Sequence, residues 1–361
     1  MNKLLLISLQ KYGGGAIDAL EISEALIKNK FFHYIVISKQ NEMVDKFNNN
    51  EYRIVFKIET FKSSIISFLI NTFLKLKFVS LIKIIINIKP NYIFFTHRHP
   101  WQVFVLILKP FLRFRIIYSC HDNPFDPKEL ENKINLYIDK LLTKKSDILV
   151  VYSNFMKNDI ERFIKKETIL VPLGPYSQLG SFQKENFNTD KLVLGFWGRI
   201  LPYKGVEILL KAFEYLKKDR LNLDLYILGK GEINEREKKL IEELDVKFIN
   251  KWLSYEEIFE YIKKIDLMIL PYTKATQSAL ISFCLAIHMP LIVSDAGGLK
   301  EFIDDGNTGF IFKSNDYNDL VQKIKIIYEN KNLLKIFSEN MKNYKSKFDW
   351  SQNIVKLIEV L

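Results

Sequence analysis

Two cations flanked by glycines are the residues of this 361-residue chain best suited to hold a diphosphate. Gly198-Arg199 follows a strand-like run, and Lys204-Gly205 opens the helix predicted after it. An arginine can bind two phosphate oxygens together, a lysine adds a point charge, and a helix N-terminus offers backbone N–H groups. A surface pair of cations would not explain the flanking glycines, so the spacing predicts an anion site here.

A second polar turn precedes the helix predicted to end at residue 287. Its sequence is Thr276-Gln277-Ser278-Ala279-Leu280. Hydroxyl and amide groups at a helix N-terminus favour contact with a phosphate or with sugar hydroxyls. The plainer alternative is ordinary N-capping by Thr276 or Ser278, and the two interpretations are compatible.

A triple-glycine turn follows the first strand-like run. Gly14 and Gly15 stand where backbone N–H groups can meet an anion, although a tight turn into a helix explains them about as well. The turn lacks the GxGxxG spacing, and no Gly-Lys-Ser/Thr follows it. The second strand ends at Ser38-Lys39 without an acidic residue for a ribose, which disfavours a dinucleotide-dependent oxidoreductase.

Histidines follow two further strand-like runs. His121-Asp122 could supply acid–base or polar contacts, and His97 and His99 are candidates for the acceptor side of a site. A lone histidine at a strand end is more often structural, so that alternative stays open. No third ligand stands at metal-binding spacing, and we therefore expect no metal site.

Strand-like and helix-like runs alternate along nearly the whole chain. This predicts an α/β fold of two Rossmann-like, doubly wound parallel-sheet domains facing a cleft. The predicted strands are 3–9, 33–38, 53–58, 92–96, 115–119, 147–152, 168–171, 192–197, 223–228, 246–249, 267–270, 291–293 and 309–312. We expect an N-terminal domain at 1–175, a linker at 176–190, a C-terminal domain at 191–345 and a closing helix at 346–361 that packs on the N-terminal domain.

Positive charge is concentrated in the first half of the chain. The whole chain carries a formal charge of +11, and the first 176 residues account for +10 of it. No acidic residue occurs from Thr60 to His121, where cations alternate with Phe, Ile and Leu. This composition favours an anionic membrane surface at residues 60–121 over nucleic acid, because the aromatic residues do not form a stacking platform. A solvated basic surface is the alternative.

The same stretch predicts peripheral rather than spanning attachment, since its longest uncharged run is too short to cross a bilayer. The residues expected at the membrane are Lys75, Lys77, Lys83, Lys89, Phe68, Phe73 and Phe78. Only two cysteines occur, far apart, and the N-terminus lacks the features of a signal peptide. We therefore expect a cytoplasmic protein at the inner face of the cytoplasmic membrane.

The order of these motifs resembles the retaining GT-B glycosyltransferases of family 4. The resembling blocks are 13–15, 121–122, 151–157, 171–174, 198–205, 228–232, 270–272, 277–278, 290–301 and 305–310. They span nearly the whole chain and are most specific after residue 192. The resemblance implies transfer of a sugar from a UDP- or GDP-sugar to a glycan or polyprenyl-linked glycan in surface polysaccharide assembly. It also implies no tightly bound cofactor and no required metal.

The resemblance implies roles for individual residues. Arg199 and Lys204 would neutralise the leaving diphosphate, and His121 would touch the donor sugar, which makes these three the catalytic candidates. The implied donor-binding residues are Gly14, Gly15, Gly198, Gly229, Lys230, Thr276, Gln277, Ser278, Ala279, Leu280 and Glu301. The acceptor-side candidates are His97, His99 and Asp122.

One departure from the family pattern concerns its acidic residues. The family often carries two glutamates eight residues apart, and here Ala275 and Phe283 occupy those positions. We expect Thr276, Gln277 and Ser278 to hold the sugar in their place. Two readings from other classes stay open: a non-catalytic nucleotide-sugar or glycan-binding relative, and a nucleotide-sugar epimerase.

Overall fold

The chain folds into two compact units, each built on one parallel β-sheet. The computed structural model describes residues 2–61, 64–126, 132–177, 182–188 and 190–361. The first unit contains Met1–Leu173 together with Asp349–Leu361, and the second contains Gly174–Phe348.

Strands and helices alternate along both units. The strands are β1 (Leu4–Ser8), β2 (His33–Ser38), β3 (Arg53–Ile58), β4 (Tyr92–Phe95), β5 (Arg115–Ser119), β6 (Ile148–Val151), β7 (Glu167–Leu170), β8 (Leu192–Trp197), β9 (Leu223–Leu228), β10 (Lys247–Ile249), β11 (Leu267–Leu270), β12 (Leu291–Ser294) and β13 (Gly309–Phe312). The helices are α1 (Gly14–Lys28), α2 (Ile65–Leu69), α3 (Phe78–Ile88), α4 (Gln102–Leu112), α5 (Lys133–Lys145), α6 (Asn154–Glu161), α7 (Val206–Lys218), α8 (Glu235–Glu243), α9 (Tyr255–Ile262), α10 (Ala279–Ile287), α11 (Tyr317–Glu329), α12 (Asn332–Tyr344), α13 (Trp350–Asn353) and α14 (Val355–Ile358). The first part of the helix expected at 127–144 lies outside the described residues, and Asn132 caps the N-terminus of α5.

Each sheet reverses its strand order near its middle. The first unit has the order β3-β2-β1-β4-β5-β6-β7, and the second has β10-β9-β8-β11-β12-β13. All paired strands are parallel. The order reverses between β1 and β4 in the first unit and between β8 and β11 in the second. Ligands of such sheets bind outside the carboxyl ends of the strands at this reversal. The doubly wound α/β class expected from the sequence is confirmed.

Burial explains why the strands are apolar without alternation. β1, β6, β11 and β12 are buried at every position. Helices that connect parallel strands cover both faces of a doubly wound sheet, so these fully buried strands have no face left for polar residues. Helix α7 illustrates the covering layer, because its apolar residues Leu209, Leu210 and Phe213 are buried while its charged residues stay outside.

The segment 176–190, expected to be a linker, belongs to the second unit. Its described residues are packed rather than free: the backbone N–H of Tyr176 donates to the carbonyl oxygen of Ser282 at 3.2 Å. Lys184 is buried, donates to the carbonyl oxygen of Lys263 at 3.0 Å, and lies 3.6 Å from Asp266. Polar residues of this segment thus have buried partners within the second unit, and its role as a linker stays a prediction. Residues 178–181 and 189 lie outside the described part.

Within the acid-free stretch 60–121, residues 65–88 form α2 and α3, which are joined by a π-helical turn at Ile70–Leu74. Two of the aromatic residues expected at a membrane face inward instead. Phe68 packs on Phe61 with ring centres 5.1 Å apart, and Phe78 stacks on Phe104 at 4.5 Å. Both are partly buried and pack against the core of the first unit. Phe73 is exposed, as expected. Among the described residues, no helix is both long and apolar enough to cross a bilayer.

Burial of His33 should make the first unit sensitive to acid. Its Nδ1–H donates to the carbonyl oxygen of Phe31, and its Nε2 lies 2.7 Å from the hydroxyl of Ser23. Burial lowers the pKa of His33 from 6.5 to about 4. The unfolded chain therefore binds the extra proton first, and stability falls as the pH drops from about 6.5 toward 4. At pH 5 the loss from this residue alone should be about 2 kcal/mol.

Urea denaturation of the full chain at pH 7 and pH 5 checks this prediction. The His33→Gln variant keeps hydrogen-bonding groups but does not titrate, so its free energy of unfolding should depend less on pH by about 2 kcal/mol. Identical pH dependence in both proteins would show that His33 is not the titrating group.

Candidate functional site

The cation-bearing turn of the second unit is packed tightly against the end of β11. Gly205 ends a short 3-10 turn at Pro202–Lys204 with φ of 70°, and a Cβ atom there would lie 1.8 Å from the carbonyl oxygen of Pro271. The backbone N–H of Thr273 donates to the carbonyl oxygen of Tyr203 at 2.8 Å. The turn is thereby fixed at the point where the strand order reverses.

Lys204 is held over an aromatic ring that the sequence analysis did not single out. Its Nζ lies 3.7 Å from the ring centre of Tyr272 and 5.2 Å from that of Tyr203. A cation over an aromatic face is attracted by the ring quadrupole. The hydroxyl of buried Tyr272 lies 3.1 Å from the Oγ of Ser278. Tyr272 therefore connects the predicted diphosphate lysine to the predicted sugar-binding turn.

Arg199 projects from a loop whose backbone is also fixed. The backbone N–H of Gly198 donates to the carbonyl oxygen of Leu228 at 3.0 Å, and that of Ile200 donates to Lys230 at 3.0 Å. Gly229 has φ of 137°, and a Cβ atom there would lie 1.9 Å from the carbonyl oxygen of Gly198. The Arg199 side chain is exposed and forms no ion pair within the described ranges. An exposed guanidinium on a loop with a fixed backbone suits an anionic ligand.

The turn before α10 is joined to the glycine turn after β12. The backbone N–H of Gly298 donates to the carbonyl oxygen of Ala275 at 3.2 Å. Thr276 and Ser278 are buried, whereas Gln277 is partly exposed. Ala279 is the first residue of α10 and Leu280 is buried behind it. Glu301 lies partly exposed on the 3-10 turn at Leu299–Phe302.

Ser278 does not cap α10 as the plainer alternative supposed. The structure, as far as it is described, gives α10 no capping hydrogen bond from the Ser278 side chain. Its hydroxyl faces Tyr272 instead. The Ser278 hydroxyl therefore does not accept from the N-terminal N–H groups of α10. An anion or a sugar oxygen can bind at such a helix N-terminus.

The two positions at which the resembling family often carries glutamates are buried and apolar. Phe283 packs edge-on against Trp197 with ring centres 4.8 Å apart and lies 5.6 Å from Phe259. Ala275 is buried as well. The aromatic cluster fills the space where a carboxylate would stand.

In the first unit, the glycine turn meets His97 at the reversal between β1 and β4. A Cβ atom at Gly15 would lie 2.8 Å from the Nδ1 of His97, so glycine is needed for this close approach. Gly14 is the first residue of α1. The ring centres of His97 and His121 are 4.2 Å apart. The structure therefore brings together three elements that the sequence placed far apart.

His121 is oriented by its contact with the chain. Its Nε2 lies 2.9 Å from the carbonyl oxygen of Thr96, which can only accept, so Nε2 carries the proton in the neutral ring. The His121 ring also lies near Tyr152, with ring centres 4.9 Å apart. Nδ1 is then the acceptor atom of the neutral ring.

A small polar pocket adjoins the two histidines. It has a volume of about 10 Å³, room for about one water molecule. Its lining residues are His97, Arg98, Tyr118, His121, Asp122 and Asp139. Asp139 accepts hydrogen bonds from Arg98 and from Tyr118, and burial raises the pKa of its carboxyl. Burial also lowers the pKa of His97 well below 6.5, with the charge of His121 acting in the same direction. His97 is therefore neutral at pH 7.

His99 does not join this pocket. It is buried among aromatic rings, 5.1 Å from Phe61 and 5.3 Å from Trp101. Its Nδ1 accepts the backbone N–H of Trp101 at 3.2 Å, and burial lowers its pKa to about 3. These contacts favour the structural alternative for His99. In the described ranges, no group of three or more His, Cys, Asp or Glu side chains is arranged to hold a metal ion.

Gly205→Ala should destabilise the second unit and displace Lys204. The new Cβ would overlap the Pro271 carbonyl in addition to straining the backbone, so we expect a loss of about 3 kcal/mol. Gly306→Ala is the matched control: its φ is also positive, at 80°, but no atom lies within 4 Å of the added Cβ. It should cost only about 1 kcal/mol. Denaturant unfolding compares the two, and equal losses would refute the packing argument.

Comparison with known proteins identifies the family. The sequence profile of the glycosyl transferases group 1 matches residues 178–344. An uncharacterised glycosyltransferase of Methanocaldococcus jannaschii is 30% identical over 271 residues, covering 70% of this chain and 69% of that protein. A lipopolysaccharide 1,2-N-acetylglucosaminetransferase of Salmonella typhimurium is 28% identical over 238 residues, 54% of this chain and 62% of that protein.

Solved structures share the fold over the full length. The structure of HepE from Anabaena in complex with UDP and glucose has a TM-score of 0.73 at 17% identity and covers 100% of both chains. Two parallel-sheet units of this kind form the GT-B architecture. The chain belongs to the group 1 glycosyl transferases and has their GT-B fold.

Proposed function

We propose that the protein transfers a sugar from a UDP- or GDP-sugar, with retention of the anomeric configuration, to a glycan or polyprenyl-linked glycan. The observation that carries this proposal is the placement of Lys204 over Tyr272, beside the turn before α10, where the strand order reverses. A fixed cation next to a helix N-terminus that the Ser278 side chain does not cap suits a nucleoside diphosphate with its sugar. The UDP and glucose bound by HepE support the same donor class.

Charge neutralisation is the proposed source of catalysis. The bond between the anomeric carbon and the diphosphate oxygen breaks, and its electron pair leaves with the nucleoside diphosphate. The acceptor hydroxyl bonds to the anomeric carbon and its proton passes to the released diphosphate. Arg199 and Lys204 stabilise the negative charge that develops in this step. Because two side-chain cations do so, we propose that turnover does not require a divalent metal.

Neutral groups are proposed to position the donor sugar. Thr276, Gln277 and Ser278 take this role because the Ala275 and Phe283 positions are apolar and buried. We propose backbone contacts to the donor from Gly14, Gly15, Gly198 and Gly229, and polar contacts from Lys230 and Glu301. In the first unit, His121 would contact the sugar through Nδ1, since its Nε2 is bound to Thr96.

The acceptor is proposed to be part of a cell-surface polysaccharide. The similarity to the Salmonella transferase, whose name specifies lipopolysaccharide, supports this class. His97 and Asp122 share the small pocket beside His121 and are the proposed acceptor-side residues. His99 lies outside that pocket and would support the acceptor side only through packing.

We further propose that residues 60–121 hold the protein at the inner face of the cytoplasmic membrane.

Product analysis tests the proposal. The protein is incubated with UDP- and GDP-sugars, alone and with polyprenyl-linked saccharides, in the presence of EDTA. We expect release of the nucleoside diphosphate and an elongated acceptor only when both substrates are present. Conversion of the donor without acceptor would indicate an epimerase, and donor binding without any product would indicate a non-catalytic relative.

A further inference from the structure

A cavity lined by lysines lies outside the site described above. It occupies about 530 Å³ at the carboxyl ends of β2 and β3, beside the first turns of α3. Its charged lining residues are Lys39, Lys57, Lys77, Lys83 and Glu59. Lys39 follows β2 directly, and Lys57 lies on β3. Lys77 immediately precedes α3, and Lys83 lies in the middle of that helix.

The positive charge of this pocket is largely uncompensated. Lys77 pairs with Glu59 at 2.6 Å. Lys39, Lys57 and Lys83 form no ion pair among the residues that the structure describes. These three lysines are exposed, and cations clustered around one cavity create a positive potential that attracts an anion. The pocket therefore favours an anionic ligand.

The walls and rim of the same pocket are apolar. Ile58, Leu76 and Val79 line it next to the lysines. Leu76 is 51% exposed, and it continues into a row of exposed apolar side chains on α2 and the π-helical turn. The members of this row are Ile66 at 71%, Leu69 at 47%, Phe73 at 57% and Leu74 at 78% exposure. Exposed apolar groups in such density mark an interaction surface.

These side chains are exposed although their segment is firmly anchored. Trp101 donates its indole N–H to the buried hydroxyl of Thr72 at 2.8 Å, in the middle of the π-helical turn. Phe68 and Phe78 fasten the two ends of the segment to the core. The opposite side therefore stays outward in the folded protein.

We propose that the lysine pocket binds the phosphate of an anionic membrane phospholipid while the exposed apolar row enters the bilayer interface. The pairing of cations with an adjacent apolar row matches a lipid, which carries a phosphate next to hydrocarbon. Aliphatic walls offer no stacking surface for a nucleic-acid base. The inference rests on the membrane association within the proposed function. It adds Lys39 and Lys57, which lie outside the acid-free stretch.

Vesicle flotation of the full chain tests the lysine pocket. We compare phosphatidylcholine vesicles with vesicles that also contain phosphatidylglycerol. The variant Lys39→Gln/Lys57→Gln/Lys83→Gln should lose about 100-fold in partitioning to the anionic vesicles, since each lysine near an anionic surface contributes roughly five-fold. The control Lys28→Gln/Lys165→Gln/Lys239→Gln removes the same charge elsewhere and should lose much less. Equal losses of partitioning in the two triple variants would refute a specific lysine pocket.

Two further arms separate the alternatives. Leu74→Ser, which leaves the charge unchanged, should weaken binding to both kinds of vesicle, and unchanged binding would refute the apolar contact. Inorganic phosphate alone should not raise the melting temperature of the wild type more than it raises that of the pocket variant. If it did so while vesicle binding stayed equal, the pocket would be a site for free phosphate.

The result is independent of sugar transfer. Stabilisation by UDP should be the same in the wild type and in the pocket variant, because none of the three lysines belongs to the proposed donor site. Vesicle binding without donor use would leave the pocket standing and refute the proposed transferase. Donor use without any selectivity for anionic vesicles would refute the lysine pocket and leave the proposed transferase standing.

Discussion

Arg199→Ala and Lys204→Ala should each lower kcat for sugar transfer by about 10²–10³-fold. That is the usual effect of removing one preorganised group that stabilises developing charge. The two changes should not be additive, because both cations act on the same departing diphosphate. Lys204 should be the more sensitive position, since Tyr272 and the packed Gly205 turn fix its ammonium group in place.

Steady-state kinetics of the purified variants check this prediction. Lys239→Ala is the control, because Lys239 is an exposed cation of the same unit on α8, paired with Glu243 at 3.6 Å. It should retain wild-type kcat. Wild-type turnover in either Arg199→Ala or Lys204→Ala would remove that residue from the mechanism.

Gln277→Ala should impair use of the donor, whereas Phe283→Glu should neither restore nor improve it. Gln277 is the partly exposed amide of the turn before α10. A glutamate at Phe283 would bury a charge among Trp197 and Phe259 and leave a cavity beside them. Such a change costs several kcal/mol, so the variant should unfold more readily as well.

A conservative variant separates folding from chemistry at this position. Phe283→Leu keeps the cluster apolar and should retain most of the transfer activity, at a cost of about 1–2 kcal/mol in stability. Activity is compared per folded molecule, with folding monitored by near-UV circular dichroism. A several-fold increase in turnover for Phe283→Glu would mean that this enzyme has lost an acid that it still needs.

The sequence predicted the strands well because buried parallel strands carry an unmistakable pattern. The runs at 33–38, 53–58, 115–119, 192–197, 223–228, 267–270 and 309–312 match β2, β3, β5, β8, β9, β11 and β13 in full. Apolar and β-branched residues dominate each run, as expected for a parallel sheet covered on both faces. The positions of strand ends then fixed which loops carry candidate residues.

Contacts between distant loops could not be predicted in the same way. The approach of Lys204 to Tyr272 depends on how two loops 68 residues apart are packed, and no local periodicity encodes it. The signal available in the sequence was an aromatic residue directly after Pro271, close to polar residues. The Arg98–Asp139–Tyr118 network behind His121 is non-local in the same sense.

Composition also misled where polar residues have buried partners. Lys184 lies in the polar, irregular segment predicted to be a linker, and Asp266 and the Lys263 carbonyl satisfy its charge within the second unit. His99 stands at a strand end like His97, but the aromatic rings of Phe61 and Trp101 enclose it. Burial of this kind depends on tertiary packing rather than on residue type.

We propose that this chain transfers a sugar with retention by stabilising a leaving diphosphate with Arg199 and Lys204. Proton NMR of the reaction with a UDP- or GDP-sugar and a polyprenyl-linked saccharide tests it most directly, because the anomeric proton reports both the bond formed and its configuration. For the wild type we expect a product signal with the same anomeric configuration as the donor. The rate of product formation should be at least about 10²-fold lower in Lys204→Ala. A product of inverted configuration, or an unchanged rate in Lys204→Ala, would contradict it.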